Sequence, residues 1–254
     1  MGDDILVKRE DRALVITINR PAQRNAVNHA VSTAIAAALD RLDADEALRV
    51  GIITGADGNF CSGMDLKAFV DGERPELEGR GFGGVTEAPP EKPLIAAVEG
   101  FALAGGCELA LACDLIVAAD DAIFGLPEVA RGLVAGSGGL IRMARKIPPA
   151  IALEYALTGN RLAAPVAQQW GMVNRLVSTG HALGEALSLA REIAENAPLS
   201  VMMSKRIVAE SPSWKPEEIW DRQRPLVDLV LASEDAQEGA RAFTEKRAPV
   251  WRGR

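Results

Sequence analysis

The sequence predicts an α/β protein. Short β-branched or apolar runs such as Val50–Thr54 and Leu94–Val98 have the length of buried strands. They alternate with segments whose apolar residues recur at helical spacing, and from about residue 137 the chain reads as helices. Strands alternating with helices are the pattern of a layered α/β domain.

The elements follow in order. Ile5–Val7 and Leu14–Asn19 read as two strands around a polar turn, Lys8–Arg12, and Arg20-Pro21 ends the second. Asn28 is a candidate N-cap, and Val31, Ile35, Ala38, Leu39 and Leu42 follow at helical spacing. Gly55-Ala56-Asp57-Gly58 turns the chain after Val50–Thr54, and Asp65–Val70 is a short helical run. After Leu94–Val98 an apolar helix runs to Cys113, and Leu115–Ala118 and Ala122–Phe124 read as strands. Ala150–Leu157 and Pro165–Trp170 are short helices. Leu183–Asn196 is longer and is stopped by Pro198, and Ser200–Glu210, Glu217–Ala232 and Ser233–Lys246 follow. Residues 72–92 hold five glycines and three prolines among charges. They read as a long loop, which is either a binding loop or a surface insertion.

Composition narrows the function. At 254 residues the chain can form one large domain or two small ones. Its net charge of −7 argues against broad nucleic-acid binding, although local cations can still hold a phosphate. Cys61, Cys107 and Cys113 are an odd number in apolar or Gly-rich settings, which reads as free or buried thiols in a reducing compartment. The opening MGDDILVKRE has no apolar signal core, and Leu6 stands where a myristoylation signal needs Ser or Thr. No apolar run reaches the length of a membrane span. The expected location is the cytoplasm, with no membrane and no nucleic acid as partner.

The usual nucleophilic machinery is missing. His29 and His181 are the only histidines, and neither stands near a Gly-x-Ser-x-Gly elbow. No phosphate loop of the GxxxxGK[ST] kind and no metal-binding cluster is present. Two segments do combine a strand, a Gly turn and a helix start: Asn59–Leu66 and Ala102–Leu109. Helix-start N–H groups lack intrahelical partners, and two converging on one oxygen would form an oxyanion hole. The glycines would equally serve tight helix–strand packing. Glu108 falls in the first turn of a helix of Gly, Ala, Leu and Cys, where desolvation should raise its pKa towards general acid–base use. A capping role there is the plainer alternative. Glu128 follows a strand and a rigid Pro127, and alone could be an exposed loop acid.

Phe60-Cys61-Ser62-Gly63-Met64-Asp65-Leu66, Ala97 through Ala110, Cys113-Asp114 and Phe124-Gly125-Leu126-Pro127-Glu128, in this order and spacing, resemble the enoyl-CoA hydratase/isomerase (crotonase) superfamily. The likeness runs from Asn19-Arg20-Pro21 to Ala242–Arg247. It implies a spiral of ββα units with a C-terminal helical trimerisation region, here residues 1–195 and 196–254, in a homotrimer or a hexamer of paired trimers. It implies an acyl-CoA substrate, with coenzyme A part of the substrate and no separate cofactor or metal. Carried over by residue, Met64 and Gly105 supply the oxyanion-hole N–H groups, and Glu108 and Glu128 are the catalytic pair. Arg24 and Lys67 stand near the CoA phosphates, and Ala26 makes a backbone contact to adenine. Phe243 and Lys246 reach the CoA, sometimes in a neighbouring subunit. Two residues depart from the commonest pattern: Ala104 stands where Gly is frequent and Met64 where Ala is frequent. Arg131–Gly136 resembles the carnitinyl-CoA dehydratase-like branch, and 72–92 corresponds to the variable acyl-binding region. The implied activity is enoyl-CoA hydration, in fatty acid metabolism. Carnitinyl-CoA-type dehydration and enoyl-CoA isomerisation are alternatives within the family, and a non-catalytic acyl-CoA- or RNA-binding scaffold is one from outside it.

Overall fold

The computed structural model describes residues 4–254, so positions 1–3 of the expected core region lie outside the described residues. β1 (Ile5–Glu10) pairs antiparallel with β2 (Ala13–Ile18), Ile5 facing Ile18 and Glu10 facing Ala13. The expected turn over Lys8–Arg12 is therefore shorter: Lys8, Arg9 and Glu10 continue the strand, and the reversal falls at Asp11-Arg12. β1 is the sheet edge, where polar side chains fit a strand open to solvent. α1 (His29–Ala44) starts where Asn28 Oδ1 accepts from Val31 N at 3.0 Å, and it buries Val31, Ile35, Leu39 and Leu42. β3 (Val50–Gly55) and α2 (Leu66–Val70) follow.

The segment 72–92 is not a surface insertion. It contains a small hairpin, β4 (Glu76–Leu77) with β5 (Gly81–Phe82). Phe82 and Val85 join the main core, and Lys92 is buried with Nζ donating to Leu42 O at 2.7 Å and Asp45 O at 2.8 Å. Its glycines obscure two anchoring apolar side chains in an otherwise polar stretch.

The centre is built from repeated units. β6 (Leu94–Val98), β7 (Phe101–Leu103) and α3 (Gly105–Ala112) make one, and β8 (Leu115–Ala119), β9 (Ile123–Gly125) and a 3-10 turn at Pro127–Arg131 begin the next. α4 (Gly139–Lys146), α5 (Pro149–Thr158), β10 (Leu162–Ala163), α6 (Ala164–Gln169), β11 (Arg175–Val177) and α7 (Ala182–Ala194) complete the core. β7, β10, β11 and α4 are additions to the sequence reading, and the three strands are too short to show a period. Among the described residues a six-stranded sheet runs β1-β2-β3-β6-β8-β11, parallel after β2, and a second sheet runs β10-β9-β7. The β6–β7 and β8–β9 steps each carry the chain from the first sheet to the second, which is the spiral that the resemblance implies.

The sheet buries both faces. Leu14, Ile16 and Ile18 of β2 point to the larger core under α1 and α3, while Ala13 and Val15 point to a smaller core under α7. α7 meets that face with Ala182, Ala186 and Ala190, whose small side chains let the helix lie close. α8 (Pro198–Glu210), α9 (Ile219–Leu231) and α10 (Glu234–Glu245) follow. Pro198 does more than stop α7: it is the first residue of α8, where its missing N–H costs nothing. Lys205 of α8 ties back to the core, with Nζ 2.7 Å from Asp114 Oδ2.

Candidate active site

Cys61 bridges Ala102 of β7, and Met64 bridges Val27. The second bridge is made by Val27 N donating to Gly63 O at 2.8 Å and Asp65 N donating to Val27 O at 2.9 Å. It uses the neighbours of Met64, so Met64's own N–H points away from Val27. Gly105 opens α3, and its N–H has no intrahelical acceptor. The two strips touch: a Cβ placed on Gly63 would lie 3.1 Å from Gly105 N. Among the described residues neither Met64 N nor Gly105 N donates to another group. Such a pair of free donors can hold an oxygen that gains negative charge.

Ala104, just before this helix, has φ 51 and ψ −129, a conformation costly for any residue with a Cβ. It is pinned there by its N–H donating to Gly125 O at 2.9 Å and its carbonyl accepting from Cys107 N and Glu108 N. The glycines also serve packing. A Cβ on Gly105 would lie 2.5 Å from Phe82 Cζ, and one on Gly106 would collide with Cys61 O. Phe82 therefore brings the 72–92 segment directly onto the start of α3.

Glu108 is 3% exposed. Its Oε1 accepts from Ser137 N at 2.7 Å and Gly139 N at 2.9 Å. Burial pushes its pKa up, and those two N–H groups and the Arg142 guanidinium hold it back. Glu128 sits half-buried in the 3-10 turn. Its Oε2 is buried and has no hydrogen-bond partner. Burial raises its pKa, and the nearby charge of Glu108 raises it further, so the two carboxyls share one environment. The better hydrogen-bonded anion is Glu108, which receives two backbone bonds. Glu128, lacking a donor at Oε2, is the better holder of a proton.

Arg24, Ala26 and Lys67 lie along one strip. Ser62 N donates to Arg24 O at 3.1 Å, and Arg20 binds both Ala26 O (2.6 Å) and Asp65 Oδ2 (2.9 Å). Ala26 O is thus already engaged, and a ligand there would use its second lone pair. The side chains of Arg24 and Lys67 are exposed. Phe243 and Lys246 stand elsewhere, at the end of α10, with Phe243 85% exposed. Among the described residues no hydrogen bond or ion pair joins α10 to the Arg24–Lys67 strip.

Sequence reading missed Ser137 and Gly139, which hold Glu108 through backbone atoms, and Arg142, which lies in the unrecognised α4. The signal available for them was the run Gly136-Ser137-Gly138-Gly139 ahead of a helix. Cavity size does not mark the site either. A cleft of 780 Å³ lined by Arg12, Leu187, Arg191, Ala194 and Trp251 holds neither glutamate.

The family model described as enoyl-CoA hydratase/isomerase matches residues 8–254. Carnitinyl-CoA dehydratase of Salmonella typhi is 43% identical over 262 residues, spanning 100% of both chains. A solved enoyl-CoA hydratase from Mycobacterium tuberculosis H37Rv is 56% identical over 99% of each chain, with a TM-score of 0.97. A solved carnitinyl-CoA hydratase from Mycobacterium avium is 45% identical over 100% of each chain, with a TM-score of 0.80.

Proposed function

The chain belongs to the enoyl-CoA hydratase/isomerase family, and on that premise we propose that it removes water from, or adds it to, the acyl chain of a CoA thioester. Carnitinyl-CoA-type dehydration is the leading form of this reading, supported by curated relatives of that name matching over the whole chain. Plain enoyl-CoA hydration, the first expectation from sequence, becomes the second form, supported by the 56% identical hydratase structure. The observation that carries the chemistry is the unlike pair: a buried Glu108 bonded by two N–H groups, beside a Glu128 with one unpartnered buried oxygen.

In the hydration direction Glu108 takes a proton from water as its oxygen bonds to the β-carbon. The electron pair moves towards the thioester oxygen, held by Met64 N and Gly105 N. Glu128 then delivers its proton to the α-carbon, and exchange with solvent restores both acids. Dehydration runs the same steps backwards. Arg24, Ala26 and Lys67 would hold the CoA part, with Phe243 and Lys246 reaching it from a neighbouring subunit. That arrangement needs a trimer or a pair of trimers assembled through residues 196–254. The exposure of Trp220 (67%), Leu231 (67%) and Phe243 (85%) supports it. No separate cofactor is required, and the proposed location is the cytoplasm. No helix among the described residues is long and apolar enough to cross a membrane.

The test incubates purified protein with carnitinyl-CoA and, separately, with crotonyl-CoA, and reads product mass. Faster loss of one water from carnitinyl-CoA supports the leading form, and faster gain of one water by crotonyl-CoA supports the second. Double-bond migration without mass change would replace both with isomerisation. Binding of CoA thioesters with no turnover would revive a scaffold role.

A further inference from the structure

The turn Ser137-Gly138-Gly139 is pinched between two side chains of opposite charge. From one side Glu108 Oε1 accepts the N–H groups of Ser137 and Gly139 at 2.7 and 2.9 Å. From the other, Arg142 Nη1 donates to Ser137 O at 3.1 Å, while its Nη2 donates to Thr86 O. The fit leaves no room for side chains on the two glycines. A Cβ on Gly138 would collide with Arg142 Nη1, and one on Gly139 would lie 2.6 Å from Glu108 Cγ. Gly138 also has φ +91, which keeps the turn in the left-handed region. Thr86 belongs to the same 72–92 segment whose Phe82 covers Gly105. One guanidinium thus spans the segment over the helix start and the turn that holds the buried carboxylate. The planar fork of Arg suits two carbonyl acceptors in different directions, which a single ammonium does not.

We propose that Arg142 is a positioning residue: it fixes the turn that presents two N–H groups to Glu108, and it makes that presentation depend on how the 72–92 segment is seated. Beside the Ser137 side chain, three titratable or charged groups face Glu108. Arg142 comes from α4, Glu128 from the 3-10 turn, and the Cys107 thiol from α3 itself, where burial pushes it up to about 12 and keeps it neutral. Arg142 is therefore the one cation of the set. Its loss removes both the anchor of the turn and the positive charge that favours ionised Glu108. The effect on turnover rests on the proposed role of Glu108 as base, whereas the effect on Glu108's own titration does not.

The experiment compares the wild-type protein with Arg142→Met and Arg142→Lys. The Glu108 carboxyl is followed by ¹³C NMR on protein labelled in glutamate, its signal assigned by its loss in Glu108→Gln. In Arg142→Met the Glu108 midpoint moves to higher pH, and the acidic limb of kcat moves with it. kcat falls about 10- to 100-fold while KM stays within about twofold. Arg142→Lys restores the charge and returns the midpoint, but recovers kcat only in part. An unchanged Glu108 midpoint in a folded Arg142→Met protein overturns the proposal. Should Arg142→Met fail to fold, Arg142→Lys decides: wild-type kcat there shows that the two-carbonyl span is not needed and overturns it, while a reduced kcat at unchanged KM supports it. If the wild type turns over no acyl-CoA, the proposed function fails, and the NMR titration still decides the case of Arg142.

Discussion

Gly139→Ala is the sharpest test of how Glu108 is held. Gly139 is the first residue of α4, and its backbone is not in the left-handed region, so Ala meets no backbone penalty there. The new Cβ would lie 2.6 Å from Glu108 Cγ, 3.1 Å from Glu108 Oε1 and 3.2 Å from Leu126 Cδ2. The first distance is about 0.9 Å short of a comfortable carbon–carbon contact. Leu126 is packed in the core, so the carboxylate is the part that yields. Overpacking of this kind costs about 1–3 kcal/mol, offset by up to about 1 kcal/mol from the better helix propensity of Ala. Stability should fall by no more than about 3 kcal/mol. A displacement near 1 Å at a reacting group costs about 100-fold in rate. The assay is kcat from the mass-resolved reaction, beside a urea unfolding curve. Gly136→Ala is the control, because a Cβ there would meet only Val134 O, at 3.9 Å. If Gly139→Ala keeps half or more of wild-type kcat, or if the control loses as much, the steric reasoning is wrong.

Other outcomes follow from the same site. Glu108→Gln and Glu128→Gln should each lower kcat by about 100-fold or more, while calorimetry shows CoA-thioester binding retained. Burial raises both carboxyls in the fold, so folding favours their protonated forms, and wild-type stability is lost as pH rises through the folded-state midpoint. Glu128→Gln should therefore melt above wild type near neutral pH, with the difference vanishing below the unfolded-state pKa of about 4.3. Ala104→Gly should relieve about 1–3 kcal/mol of backbone strain and lose about 0.4–1 kcal/mol to unfolded-chain entropy, a net gain of about 1 kcal/mol by urea unfolding. Cys61, Cys107 and Cys113 are buried with thiols pushed up to about 12, so a thiol reagent should label them only after unfolding.

The sequence made some of this legible and hid the rest for physical reasons. Strands buried on both faces, such as Val50–Gly55 and Leu94–Val98, announce themselves as apolar runs, and α1 announces itself through Asn28 and its apolar stripe. Glu108 stood out because a carboxylate in the middle of Gly, Ala, Leu and Cys is conspicuous. β7 and β11, at three residues each, are too short to show a period. The partners of Glu108 were invisible because Ser137 and Gly139 bind through backbone N–H, which every residue but proline possesses. The weight of Ala104 was half legible: its departure from Gly was plain, and its positive φ emerged only in three dimensions.

The parallel register of β7 on β9 has a consequence for how the molecule can vary. Leu103 lies opposite Gly125, and Ala104 N is bonded to Gly125 O at 2.9 Å. Glu108 and Glu128 are launched a few residues beyond those two points, from neighbouring coils locked together by main-chain atoms. Their spacing is therefore set by main-chain bonds rather than by the exposed side chains of 72–92, such as Glu76 and Glu78. That segment reaches the turn beside Glu108 through the carbonyl of Thr86, and the buried Phe82, Val85 and Thr86 side chains hold it there. Exchanging the exposed side chains of 72–92, with Phe82, Val85 and Thr86 kept, should therefore alter the surface of that segment and leave the acid pair in place.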